Sequence, residues 1–281
     1  MCYFCIGKCG FNSRRFAFFF DILKSNLKFA VFSAQTYINL MELYHESFDL
    51  EATLKHIDEV LATVGDGVKK FPHIPNIDDL GDLDIFITTC TVVYIKIRLK
   101  SSFDNFLNNK LVTFRQRESF QSAVTSILRE HPKCFDFLMH DDEIACIVDT
   151  PFKEDINMLF EQLAKINSML SILNKKSQLA GLEPFEWGIG SHYGETFVSA
   201  QRYHDGPPSF SWSGSAYSYS RHLSGKALDN NQRVIFVSKV FYDNLKEEYQ
   251  ELMRSESEDV YTANVINRFI QNWQTENIDK K

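Results

Sequence analysis

Apolar positions along this chain switch between a helical and a strand-like period, and the switches mark its elements. From Asp49 onward, Leu54, Ile57, Leu61 and Val64 recur at helical spacing behind an aspartate able to cap the first turn, which predicts a helix ending near Gly65 and Gly67. The segment FPHIPNIDDLGDLD, with its prolines and aspartates, reads as a linker into a main domain that begins at about residue 84. There DIFITTCTVVYIKI is β-branched and continuously apolar, the pattern of a central strand buried on both faces. Phe103, Phe106, Leu107, Leu111 and Phe114 then resume a helical period, in a helix that should reach Leu128.

After His131 and Pro132 come two short apolar runs, CFDFLM and EIACIVDT, separated by His140, Asp141 and Asp142: a β-hairpin with carboxylates at its tip. The clearest amphipathic helix runs from Asp155 to Leu179, with Ile156, Leu159, Phe160, Leu163, Ile166, Leu170 and Leu173 on one face. FEWGIGSHYG, ETFVSAQRY and PSFSWSG read as short strands broken at Gly188, Gly190, Gly194 and Gly206. A helix from Gly214 to about Leu223, the strand RVIFVS and a helix from Ser238 through FYDNL complete the body; the polar tail beyond Met253 predicts one helix, from Tyr261 to Trp273. The expected organisation is an N-terminal extension over 1–40, a helix and linker over 41–83, the main α+β domain over 84–246 and a helical tail over 247–281. No internal repeat is visible.

Composition narrows the function classes. The 281 residues are 44% hydrophobic, enough for a real core, and the formal net charge of -7 argues against a general nucleic-acid or anionic-membrane surface. Cysteines at 2, 5, 9, 90, 134 and 146 show no regular disulfide spacing, which favours a reducing cytoplasm. The apolar, basic start is interrupted by charges too often to span a membrane and lacks a clean cleavage site. Cys2, Cys5 and Cys9 are spaced to hold a metal or are simply unpaired thiols, and either Met41 reads as the true start or the first forty residues read as a separable extension.

Four motifs then occur in order at sensible distances: a strand ending in aromatic-x-x-Ile, an acidic hairpin tip, a Gly-x-Gly-x-x-x-Gly strand turn, and a Trp-x-Gly opening a helix. On these the chain resembles the class III nucleotidyl cyclases, and specifically the pyrimidine cyclases of bacterial Pycsar anti-phage systems, over about residues 84 to 246. The matching stretches are YIKIR and the serines after it (94–102), HDDEIACIVDTPFKEDI (140–156), WGIGSHYGE (187–195), SWSGSAYSYS (211–220) and VSKVFYDNL (237–245). The resemblance implies a ferredoxin-like cyclase core with a mixed, mostly antiparallel sheet. It also implies formation of cUMP or cCMP from UTP or CTP, a homodimer with sites at the shared interface, and a separate effector activated by the cyclic nucleotide.

Such chemistry deprotonates a ribose 3′-hydroxyl for attack on the α-phosphorus while charge builds on the departing pyrophosphate, and divalent cations such as Mn2+ or Mg2+, held by oxygen ligands, stabilise both changes. By resemblance, Asp142 and the backbone carbonyl of Ile97 are the expected metal ligands, and Tyr94 lies near the base. The first metal aspartate of the family is replaced by Lys96, which cannot ligate a cation while protonated but can meet a phosphate. On the helix from Gly214, where the class places Asn and Arg against ribose and phosphate, this sequence offers Ser218 and His222. Arg221 stands one residue off, able to reach a phosphate if the helix register shifts and otherwise a surface arginine.

His192 reads as a strand-end histidine more readily than as a base. There is no G-x-x-x-x-G-K-[ST] loop, and GIGSHYG is followed by strand, which excludes a dinucleotide fingerprint. Three functions stay open: an active pyrimidine cyclase tolerating Lys96, a pseudo-enzyme that binds nucleotide or dimerises, and a structural protein with a vestigial site.

Overall fold

Two long strands, β2 (Ile85–Leu99) and β5 (Phe185–Gln201), pair antiparallel along their whole length and carry the rest of the sheet. The computed structural model describes residues 48–62, 68–76, 85–99, 110–201, 209–230 and 232–280. The free edge of β2 is divided between β1 (Lys69–Phe71), parallel to it, and β4 (Glu143–Val148), antiparallel to it and followed outward by β3 (Cys134–Met139). The far edge of β5 is divided likewise between β6 (Ser209–Gly214) and β7 (Ile235–Ser238). Beyond β7 lie β9 (Val260–Ala263) and β8 (Arg254–Ser257), so the order is β3-β4-β2-β5-β7-β9-β8. The helices are α1 (Leu50–Ala62), α2 (Lys110–Leu128), α3 (Lys153–Leu179), α4 (Ser215–Asp229), α5 (Lys239–Asp243), α6 (Glu247–Gln250) and α7 (Arg268–Gln274). This is the α+β arrangement expected, a mixed and mostly antiparallel sheet with helices packed on it.

Alternation along β2 sends successive side chains to opposite faces and defines two cores. Val93, Ile95 and Ile97 meet Phe120, Val124 and Leu128 of α2 and the predicted apolar stripe of α3 on one face. Val92 and Tyr94 join Phe86, Ala145, Ile147, Trp212 and Ala216 on the other. The start of α3 is fixed by Asp155, whose carboxylate accepts from the Phe152 N–H at 3.1 Å and pairs with Lys133 at 2.8 Å. Helix α1 belongs to a separate unit, residues 1–66; Asp49 caps it as predicted, accepting from the Ala52 N–H at 3.0 Å.

Four expectations change. FEWGIGSHYGETFVSAQ is one continuous strand of 17 residues, because Gly188, Gly190 and Gly194 take up extended backbone within β5. Two of these glycines serve packing: a Cβ at Gly188 would stand 2.3 Å from the Ser224 carbonyl oxygen, and one at Gly190 2.1 Å from that of Ser220, so α4 lies directly on the strand. Helix α4 runs to Asp229, well past Leu223. In the tail, part of the stretch expected to be helical is β9, which completes the sheet through the pairs Ile235–Ala263 and Ser238–Val260; the helix begins only at Arg268. Lys69–Phe71, beside the expected linker, pairs with β2 at Phe86 to Thr88. Phe114 is 55% exposed and lies off the buried face of α2, while Phe103, Phe106 and Leu107, like Gly65, Gly67, Gly206, the Cys2–Cys5–Cys9 spacing and Met41, lie outside the described residues. Among the described residues no helix is long and apolar enough to cross a membrane.

Candidate functional site

Register decides which hairpin carboxylate faces the site. In the β2–β4 pairing Tyr94 stands opposite Ala145 and Lys96 opposite Glu143, and directly opposed residues project to the same face. Glu143 therefore points at Tyr94 and Lys96: its Oε1 accepts from the Lys96 ammonium and its Oε2 from the Tyr94 hydroxyl. Arg221, coming from α4, brings Nη2 to 3.5 Å from the same Oε2 and its guanidinium to 5.9 Å from the Tyr94 ring centroid. The edge of Tyr217 packs on Tyr94 at 5.7 Å and closes the inner wall. Burial falls off outward: Tyr94 is 1% exposed, and the side chains of Glu143, Lys96 and Arg221 are 15%, 36% and 58% exposed.

Three of the sequence-selected residues, Tyr94, Lys96 and Arg221, thus converge on a carboxylate that was not selected. Asp142, one residue earlier, has the opposite parity. Its carboxylate is held by Arg117 of α2, Nε to Oδ1 at 2.5 Å and Nη2 to Oδ2 at 3.2 Å. Its backbone carbonyl accepts from the Ile97 N–H at 2.9 Å. Ile97 itself is in the core beneath α2 and α3, and Ser218 is exposed on α4. Arg221 reaches the cluster from α4, which begins at Ser215 and is clasped to the sheet: the Ser220 hydroxyl donates to the Val92 carbonyl at 2.8 Å and the Ser224 hydroxyl to that of Gly188 at 3.0 Å.

The electrostatics follow from this packing. Burial acts to raise the Glu143 pKa, but the hydrogen bonds from Lys96 and Tyr94 and the nearby charges of Lys96 and Arg221 outweigh it, and the carboxyl is held below its usual range. Burial, then the Glu143 carboxylate, push the Tyr94 phenol far upward, so it remains a protonated donor. These donors do not fit a divalent cation. Both Glu143 oxygens are occupied, Lys96 places a positive charge beside them, Asp142 is turned to the other face, and no group of three or more His, Cys, Asp or Glu gathers among the described residues.

His192 is not part of this cluster. Its Nδ1 lies 2.8 Å from the Ser238 hydroxyl, which accepts from the Phe241 N–H at 3.2 Å as the cap of α5, and its ring meets that of Tyr219 edge-on at 5.1 Å. Burial lowers the pKa of this imidazole to about 4, so it is neutral at pH 7. The unfolded chain protonates this group near 6.5, so His192 contributes stability at neutral pH that is lost as pH falls from there toward 4. Urea unfolding at pH 7 and pH 4.5 should show the wild type losing about 1–2 kcal/mol more than His192→Gln, a figure reduced for partial exposure; equal losses would contradict this.

The fold, with two central antiparallel strands, an acidic hairpin beside them and a helix laid across the other face, is that of the class III nucleotidyl cyclases. Among solved structures it superimposes on a bacterial light-regulated adenylyl cyclase with a TM-score of 0.51 at 13% identity, over 92% of this chain and 70% of that one. In sequence the chain is similar to two uridylate cyclases. It is 28% identical over 210 residues to the uridylate cyclase of Treponema porcinum, covering 74% of this chain and 72% of that protein. It is 23% identical over 258 residues to the uridylate cyclase of Gulbenkiania mobilis, covering 84% of this chain and all of that protein. No protein-family model matches the chain.

Proposed function

We propose that this protein is a pyrimidine nucleotide cyclase that converts UTP, or CTP, to cUMP, or cCMP, with release of pyrophosphate, as a second messenger in anti-phage defence. It acts in the cytoplasm as a homodimer with sites at the shared interface, and its product activates a separate effector. The observation that carries the reading is the convergence of Tyr94, Lys96 and Arg221 between β2 and α4 in a chain similar to two uridylate cyclases. Lys96 and Arg221 supply N–H donors for the phosphates, Tyr94 lies buried beneath the place a base would take, and Ser218, one turn before Arg221 on α4, faces solvent where a ribose hydroxyl can approach.

A second reading, a pseudo-cyclase that binds nucleotide or dimerises without turnover, is favoured by the Lys96–Glu143 ion pair, because Lys96 stands where the family resemblance implies the first metal-binding aspartate. Purified protein incubated with each of the four nucleoside triphosphates and Mn2+ should yield cyclic UMP or CMP above the level of cyclic purine products. Product from Lys96→Asp alone would establish the second reading and remove the first. Asp142→Ala and Glu143→Gln should also differ. If Asp142 serves the site despite its pairing with Arg117, its removal abolishes turnover; if its role is confined to that ion pair, turnover survives while Glu143→Gln alters it.

A further inference from the structure

In the cluster between β2 and α4, Lys96 and Arg221 bring two positive charges against the single negative charge of Glu143, an excess of one, while the Asp142–Arg117 pair balances itself on the opposite face of the sheet. The carboxylate is the more buried partner, at 15% exposure, and the two cations stand outside it at 36% and 58%. What the site presents to solvent is therefore positive. An ammonium has three N–H donors and a guanidinium five; with one Lys96 donor on Glu143 and the Arg221 contact at 3.5 Å, both retain donors for an incoming anion. A divalent cation, by contrast, would have to displace the ammonium from Glu143 and then sit beside it.

We infer that the Lys96 ammonium is the built-in cation of this site: together with Arg221 it takes the phosphate chain of a pyrimidine nucleoside triphosphate directly, so nucleotide binding requires no divalent metal. This rests on the reading that the cluster is the nucleotide site and extends it by removing the metal from the binding step. Glu143 then acts as a positioning residue that holds Lys96 at the mouth of the cleft, with Tyr94 fixing its second oxygen.

The test is isothermal titration of the full chain with UTP and with CTP in excess EDTA and again in excess Mn2+. The dissociation constant of the wild type should agree within about threefold between the two conditions. Loss of one charge-assisted contact is worth about tenfold or more in affinity, so Lys96→Gln should weaken binding in EDTA by at least that factor while Lys96→Arg retains most of it. Lys96→Asp should lose binding in EDTA, regain it with Mn2+, and bind Mn2+ itself, read by the loss of the free-ion electron paramagnetic resonance signal. Far-UV circular dichroism and thermal melts confirm that each variant is folded. Wild-type binding that appears only with Mn2+ overturns the inference and leaves the cyclase reading standing. Binding in EDTA that is unchanged in a folded Lys96→Gln protein also overturns it. Absence of binding in both conditions overturns the inference and the cyclase reading together.

Discussion

Gly190→Ala is expected to destabilise the domain by about 3 kcal/mol or more, lowering the melting temperature by roughly 6–12 °C. The added methyl would meet backbone on every near side: the Ser220 carbonyl oxygen at 2.1 Å, the Ser224 nitrogen at 2.3 Å and the Leu223 carbonyl carbon at 3.0 Å. No side-chain rotation relieves these contacts. Helix α4 must lift from β5, and lifting it separates the Ser220 and Ser224 hydroxyls from the strand carbonyls they bond. The matched control is Gly225→Ala on the same helix, where the new Cβ meets nothing within 4 Å. There the helix-propensity gain should stabilise by about 0.5–1 kcal/mol. Thermal melts of both variants by circular dichroism measure the contrast, and a Gly190→Ala protein melting with the wild type would show that α4 does not sit on the strand as described.

Glu143→Leu is expected to cost about 2–3 kcal/mol, because it leaves the buried Tyr94 hydroxyl without an acceptor and Lys96 and Arg221 without their shared anion. The cost should depend on Tyr94. Tyr94→Phe alone removes a satisfied hydrogen bond at about 1 kcal/mol, yet in the Glu143→Leu background it removes the orphaned hydroxyl and should be neutral or stabilising. A double-mutant cycle by urea unfolding reads the difference; strictly additive costs would mean the two groups do not share the hydrogen bond. The pH dependence has a definite sign. Since the folded carboxyl titrates below its usual range, its contribution is complete above the ordinary glutamate value and is lost as pH falls through the lowered one. The wild type should accordingly lose more stability on acidification than Glu143→Leu.

The parts of this architecture that could be read from the residues are those where a period persists. The stripe from Ile156 to Leu170 on α3, the apolar run of β2 and the hairpin turning at His140 to Asp142 all carry their structure locally. Parity at the hairpin does not. Asp142 and Glu143 are adjacent and equally acidic, and a one-residue choice of register sends one to the site and the other to Arg117. The inward carboxylate could have been found by asking which residue faces Lys96, since a lysine in a largely apolar strand needs a partner. The tail strands were hidden for a different reason: β8 is entirely polar and exposed, and β9 has only four residues, so its place in the sheet is fixed by pairing with β7 and not by its own pattern. The breaks read into β5 at its glycines mistook a packing requirement for a turn signal. Without α4 in view, nothing distinguishes a glycine that bends a strand from one that lets a helix approach it.

The clasp between α4 and the sheet also sets a time scale. Arg221 rides on a helix whose flanking hydroxyls are bonded to the carbonyls of Val92 and Gly188 and whose backbone rests on bare glycine, so that helix has no slack with which to swing toward a ligand. Lys96 and Arg221 adjust through their outer side chains, and exposed side chains reorient within nanoseconds. Stopped-flow mixing with nucleotide should therefore show a single phase whose rate rises linearly with concentration, with no saturating step of the kind that closure of a helix or domain would impose.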